Sequence, residues 1–152
     1  MPPAEDKSAT ADAVEPSLNE VLDMNTFNQI LEMDEPDDQQ FSSSIVFDFF
    51  DQADETFKEM DAALQNGNLA ELSSLGHFLK GSSATLGLVK VREGCEKIQR
   101  YGKKENVDGT SIDDETFCLD RIKDEIKTVK VDIKEARQAL YAYYGKDKSA
   151  DA

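Results

Sequence analysis

The chain has 152 residues, enough for one domain with a buried core, and carries 32 acidic against 17 basic residues for a net charge of −15. Residues 1–40 hold eleven acids and one lysine, so most of the imbalance sits at the head of the chain. So acidic a chain repels nucleic-acid phosphates and anionic membranes, and no apolar run approaches the roughly 18 residues of a membrane span. The start, MPPAEDKSATADAVEP, has no apolar stretch of the kind that marks a signal peptide. Cys95 and Cys118 lie in helical patterns with no CxxC and read as reduced, partly buried thiols. These features predict a monomer of the cytoplasm and nucleus.

Residues 1–17 are too poor in apolar side chains to offset the entropy of ordering and read as a disordered acidic tail. Leu18, Val21 and Leu22 form an apolar anchor. Phe27, Ile30, Leu31 and Met33 predict a short helix over Asn25–Met33, capped by Asp23 or Asn25 and ended by Pro36 in an acidic linker. A long helix follows over Gln39–Gln65, because Phe41, Ile45, Val46, Phe49, Phe50, Ala53, Phe57, Met60 and Leu64 recur at steps of three and four. Asn66-Gly67 stops it.

Asn68, with Glu71 three residues on, caps the next helix, which runs to about Leu86 and stops at Gly87. Another covers Leu88–Gly102, with Val91, Cys95 and Ile98 apolar and Gly94 and Gly102 permitting close approach. Lys103–Ser111 is a loop. Ser111 with Asp114 resembles a capping box for a last long helix, whose seam of Leu119, Ile122, Ile126, Val129, Ile133, Ala136, Leu140 and Tyr143 indicates left-handed bundle packing. Residues 146–152 are a frayed tail. The predicted fold is all-α: an antiparallel up-down four-helix bundle over residues 18–145, with a short additional N-terminal helix.

His77 is the only histidine in the chain. With about 100° of rotation per helical residue, Leu72, Leu75, Leu79 and Leu86 all fall within about 40° of the side opposite it. They mark the buried stripe and place His77 on the outer face. Its neighbours there are Ala70, Ser73, Lys80, Gly81 and Ala84, four of them small. Glycine inside a helix costs about 1 kcal/mol relative to alanine, and open space beside the ring is one return. Lys80 lies one turn on, where its charge repels an imidazolium but attracts an anion carried on the ring. Neutral imidazole is a good nucleophile near pH 7. Phosphoryl transfer asks mainly for positioning and charge neutralisation. The bland alternative is a solvated helix face, with Gly81 serving the approach of another helix. Ser82 and Ser83 flank the leucine stripe and read as packing residues.

The stretch HFLKGSSATLGL, followed by CEKIQ, resembles the histidine-containing phosphotransfer domain, most of all its fungal single-domain members. The resemblance runs from roughly Met24 to Tyr144 and includes the QILEMD and FFDQA segments. It implies that His77 accepts a phosphoryl group from the receiver-domain aspartate of a hybrid sensor histidine kinase. The group then passes to the receiver aspartate of a response regulator. Lys80 would stabilise the phosphoryl group, Gly81 would clear its access, and Gln99 would orient the surroundings by hydrogen bonding. Ile30, Met33 and Phe41 are either an apolar receiver-binding patch or part of the core, and Ser73 and Ala84 on the histidine face are further receiver-binding candidates. No cofactor is expected on this chain; magnesium would belong to the partner receiver. The connection before the last helix is short, whereas some fungal relatives carry an insertion there.

Other functions find less support. The chain has no P-loop, kinase glycine-rich loop or G-x-S-x-G, and one histidine cannot supply the two Glu-x-x-His motifs of a bundle di-iron site. Asp34, Glu35, Asp37 and Asp38 do not match calcium-loop spacing. The competing reading is a non-catalytic acidic helical adaptor. Lys90, Lys97 and Lys104, with Arg100 beside them, form a basic stripe that is either a solvated face or a contact for an acidic partner.

Overall fold

The computed structural model describes residues 18–106 and 108–144. The acidic tail and the frayed end read from the sequence lie outside them. Among the described residues the secondary structure is helical: α1 (Leu18–Val21), α2 (Met24–Leu31), α3 (Gln40–Gln65), α4 (Leu69–Leu86), α5 (Val89–Gly102) and α6 (Glu115–Tyr143). The four long helices close a ring in which α3 packs on α4, α4 on α5, α5 on α6, and α6 back on α3. The short connections 66–68 and 87–88 make sequential neighbours antiparallel, as expected for an up-down bundle.

Two short helices precede the bundle instead of one. The apolar anchor forms a helical turn of its own against α6, and Leu22 behind it is buried. Asp23 caps α2 by accepting from the Asn25 N–H at 3.1 Å. The Asp23 N–H also donates to the Gly87 carbonyl at 2.7 Å, which ties the start of α2 to the α4–α5 turn. Gly87 has φ +85°, and a Cβ there would lie 2.8 Å from the Asp23 carbonyl oxygen. The turn therefore requires glycine for both its backbone angle and its packing.

The acidic run after α2 is more than a linker. Both oxygens of Asp34 accept from Ser42, the backbone N–H at 2.8 Å and the hydroxyl at 2.6 Å, and Asp38 accepts from the Gln40 N–H at 3.0 Å. Carboxylates at the first turn of α3 satisfy its free N–H groups and the positive end of its dipole. Tyr144, just past α6, donates to the Ser42 hydroxyl at 2.8 Å and joins the two ends of the bundle's longest helices.

The core follows the periodicity read from the sequence. Val46, Phe49, Phe50, Ala53 and Met60 on α3 meet Leu72, Leu79, Leu86, Val91, Cys95 and Ile98 on α4 and α5. Ile122, Ile126, Val129, Ile133, Ala136 and Leu140 complete it from α6. The predicted faces overreach at their ends: Phe41 and Tyr143 are exposed, and Leu119 is half-buried while Cys118 takes the buried place. The capping box is also corrected. Asp114, not Ser111, caps α6, accepting from the Phe117 N–H at 3.2 Å, while Ser111 bridges to Glu105 and the Ile112 N–H donates to the Lys104 carbonyl at 2.8 Å.

Candidate functional site

Asn68 starts α4 by accepting from the Glu71 N–H at 3.0 Å, and Leu72, Leu75, Leu79 and Leu86 bury its inner face. His77 is exposed on the outer face, as the helical wheel predicts. Among the described residues, none hydrogen-bonds its ring. The fold thus fixes the backbone under the imidazole and leaves the residue exposed. Gly81, one turn on, is also exposed, and a Cβ added to it would meet nothing within 4 Å. Its lack of a side chain serves open space and not helix packing.

The helix packing is done by other glycines. A Cβ on Gly76 would lie 3.0 Å from the Cys95 carbonyl oxygen, the Gln99 nitrogen and Ile98 Cγ2. A Cβ on Gly102 would lie 2.7 Å from the Ser73 nitrogen and 2.8 Å from the Leu69 carbonyl oxygen. Gly94 approaches Val129 of α6 closer still. The backbones of α4 and α5 therefore touch directly beside the histidine. That contact buries Ser73, which is 8% exposed and donates its hydroxyl to the Gln99 carbonyl at 3.0 Å. Ser73 thus leaves the list of surface contacts. The wheel placed it on the histidine face, but not how far round α4 the next helix would reach.

Lys80 lies on the α5 flank of the histidine face. Its ammonium donates to Glu96 Oε1 at 2.8 Å, and the other carboxylate oxygen accepts from Arg100 Nε at 2.6 Å. The hydrogen bond from Lys80, then that from Arg100, holds the Glu96 carboxyl below the usual carboxylate range. Behind this surface, burial pushes the Cys95 thiol up to about 12, against the opposing charge of Lys80. Gln99 is close, as expected, but its backbone makes the contacts to α4; its side-chain Oε1 is buried with no hydrogen-bond partner.

The remaining predicted contacts divide. Met33 and Phe41 are exposed by 64% and 44%, so they are available to a partner, whereas Ile30 is half-buried against the core. Ala84 is exposed beside Gly81, where both line a groove with Lys80 and with Arg92, Glu93, Glu96 and Lys97 of α5. Sequence reasoning missed Phe78, which is 49% exposed directly after the histidine; a phenylalanine off the leucine stripe was the available signal. It also missed Glu96 as the partner of Lys80. The basic stripe on α5 faces acids of α6: Lys97 lies 3.9 Å from Glu125, and the charge of Lys90 acts on the half-buried Asp132. Lys104, just beyond α5, lies 3.5 Å from Glu115.

A model of the Hpt domain family matches residues 44–140, which span most of α3, all of α4 and α5 and most of α6, with His77, Lys80, Gly81, Glu96 and Gln99 among them. The chain is 44% identical over 131 residues to multistep phosphorelay regulator 1 of Schizosaccharomyces pombe, covering 86% of this chain and 44% of that protein. It is 49% identical over 94 residues to the phosphorelay intermediate protein YPD1 of Candida albicans, covering 62% of this chain and 50% of that one. The chain therefore spans about half the length of the curated relatives it matches. Among solved structures, it resembles Saccharomyces cerevisiae Ypd1 as crystallised with the receiver domain of its downstream response regulator Ssk1. The TM-score is 0.74 at 35% identity, over 88% of this chain and 99% of that one.

Proposed function

The chain belongs to the Hpt domain family, and from that premise we propose that it is a phosphorelay intermediate, carrying a phosphoryl group on His77 between receiver domains. The observation that carries this reading is the exposed imidazole opposite the leucine stripe, with Lys80 one turn on and open space at Gly81. An unprotonated ring nitrogen attacks the phosphorus of a receiver's aspartyl phosphate. The bond between phosphorus and the carboxyl oxygen breaks, and its electron pair leaves with the aspartate. The ring keeps its proton on the other nitrogen. Passing the group to a second receiver aspartate reverses these steps.

Such a carrier needs no nucleotide site and is not a kinase. A transition state with charge spread over the phosphoryl oxygens is served by positioning and a nearby cation, and Lys80 supplies the cation in this reading. The receiver supplies the magnesium ion and the aspartate. The donor is the receiver of a hybrid sensor kinase, and the acceptor is the receiver of a response regulator. Met33 and Phe41 offer it apolar docking surface, with Ala84 beside the ring. No described helix is long and apolar enough to cross a membrane. Cys95 and Cys118, both free and buried, fit a reducing compartment and support work in the cytoplasm and nucleus.

The test is transfer from a phosphorylated receiver domain to the full chain. Wild type acquires acid-labile label, whereas His77→Gln, with an unchanged circular dichroism spectrum, acquires none. Equal labelling of the two proteins would leave the adaptor reading in its place.

A further inference from the structure

We propose that Glu96 is a positioning residue that weakens the site's hold on a phosphoryl group, by competing with that group for the Lys80 ammonium. This rests on the phosphocarrier reading of His77 and specifies how the site is tuned. Lys80 is the cation one turn from the ring, yet in this structure it is bound 2.8 Å from Glu96 Oε1 on the neighbouring helix. The carboxylate is itself held in place: Arg100 Nε grips its second oxygen at 2.6 Å, and Arg100 Nη1 reaches Glu105 at 3.6 Å. Both cations favour the ionised form of Glu96, so the clasp persists through the neutral pH range.

The pair is built to be exchanged. The side chains of Lys80 and Glu96 are 27% and 33% exposed, so solvent screens their attraction. A phosphoryl group on His77 carries more charge than a carboxylate and three strong acceptor oxygens. The flexible stem of Lys80 lets its ammonium turn from one to the other. When it leaves, Arg100 remains on Glu96, and the carboxylate is never left without a partner. Retention of the phosphoryl group therefore carries the cost of opening the clasp, and that cost is recovered when the group moves on. Glu96 thus biases the carrier toward delivery.

The prediction is directional. Glu96→Gln frees Lys80 and favours retention on His77. Arg100→Gln leaves the carboxylate with Lys80 alone, tightens the clasp and disfavours retention. A merely structural role for the network would move both variants the same way.

The experiment uses full-length wild type, Glu96→Gln, Arg100→Gln, Lys80→Met and the Glu96→Gln/Lys80→Met double variant. Each is equilibrated with one receiver domain loaded in advance with radioactive phosphate, and the label is partitioned between the two proteins. Glu96→Gln is expected to shift the partition toward His77 by about two- to fivefold, the range of one exposed ion pair. Arg100→Gln shifts it the other way. In the Lys80→Met background, at least half of the Glu96→Gln effect disappears; what survives is the direct field of the carboxylate.

The proposal is overturned if Glu96→Gln leaves the partition unchanged, if both single variants shift it together, or if the full effect persists without Lys80. If wild type itself takes no label, the phosphocarrier reading falls and this one with it. Labelling of wild type without a Glu96→Gln shift overturns this proposal alone.

Discussion

Gly102 on α5 and Ser73 on α4 are in direct backbone contact: a Cβ on Gly102 would fall 2.7 Å from the Ser73 nitrogen and 2.8 Å from its Cα. Both atoms belong to helix backbone and cannot swing aside. Gly102→Ala is therefore expected to push the helices apart and destabilise the bundle by about 1–3 kcal/mol, the usual cost of overpacking. Urea denaturation checks this, and a midpoint within error of wild type would show that the contact is slack.

Gly81 gives the opposite result, because nothing lies within 4 Å of a Cβ there. Gly81→Ala gains helix propensity and should stabilise the protein by up to about 1 kcal/mol. Gly81→Gln should also stay folded, yet slow transfer to His77 by crowding the ring. Thermal melts and transfer kinetics on the same samples separate the two effects. Transfer by Gly81→Gln at the wild-type rate would mean the open space has no role.

Ser42 is fully buried between Asp34 and Tyr144, donating at 2.6 Å to the first and accepting at 2.8 Å from the second. Ser42→Ala leaves two polar groups short of a partner and should cost about 1–3 kcal/mol. Tyr144→Phe should cost less, and the double variant less than the sum of the two, since both act on one network. Additive losses in a denaturation cycle would show that the contacts are independent.

Cys95 predicts an alkaline limb of stability. Burial raises its thiol from 9.0 to about 12 in the native protein. As pH rises above about 9, the unfolded chain releases this proton while the native chain keeps it, so stability falls with rising pH. The contribution is complete below pH 9 and lost between pH 9 and 12, at most about 4 kcal/mol in total. Denaturation series over that window should show a shallower slope for Cys95→Ala than for wild type. Parallel slopes would exclude the thiol as the cause.

Most of the site was legible because it sits on one helix. The wheel of α4 needs only four leucines to say where His77 points, and the structure agrees. The same wheel failed for Ser73, because the reach of α5 depends on glycines at 76 and 102 that let the backbones meet. Its position on the apolar side of α5 marks Gly102 as a close-approach residue, whereas nothing in the sequence marks Gly76. Spacing pairs Lys80 with an anion on the ring, but its partner Glu96, sixteen positions away on another helix, emerges only in the structure. The acidic run at 34–38 has only the composition of a linker in the sequence, because its service as a cap depends on Ser42 folding back onto Asp34.

The sequence by itself determined what is periodic or local: four long helices, their stops at Gly67 and Gly87, the buried seams, and one imidazole opposite a leucine stripe. Hydrophobic spacing and chain stiffness encode these within a few turns. Only the tertiary structure decided which charges meet. Pairs such as Lys80 with Glu96 and Lys97 with Glu125 join different helices, and their meeting depends on rotation and axial offset. Those are set by where the smallest residues let backbones touch, which no single helix records.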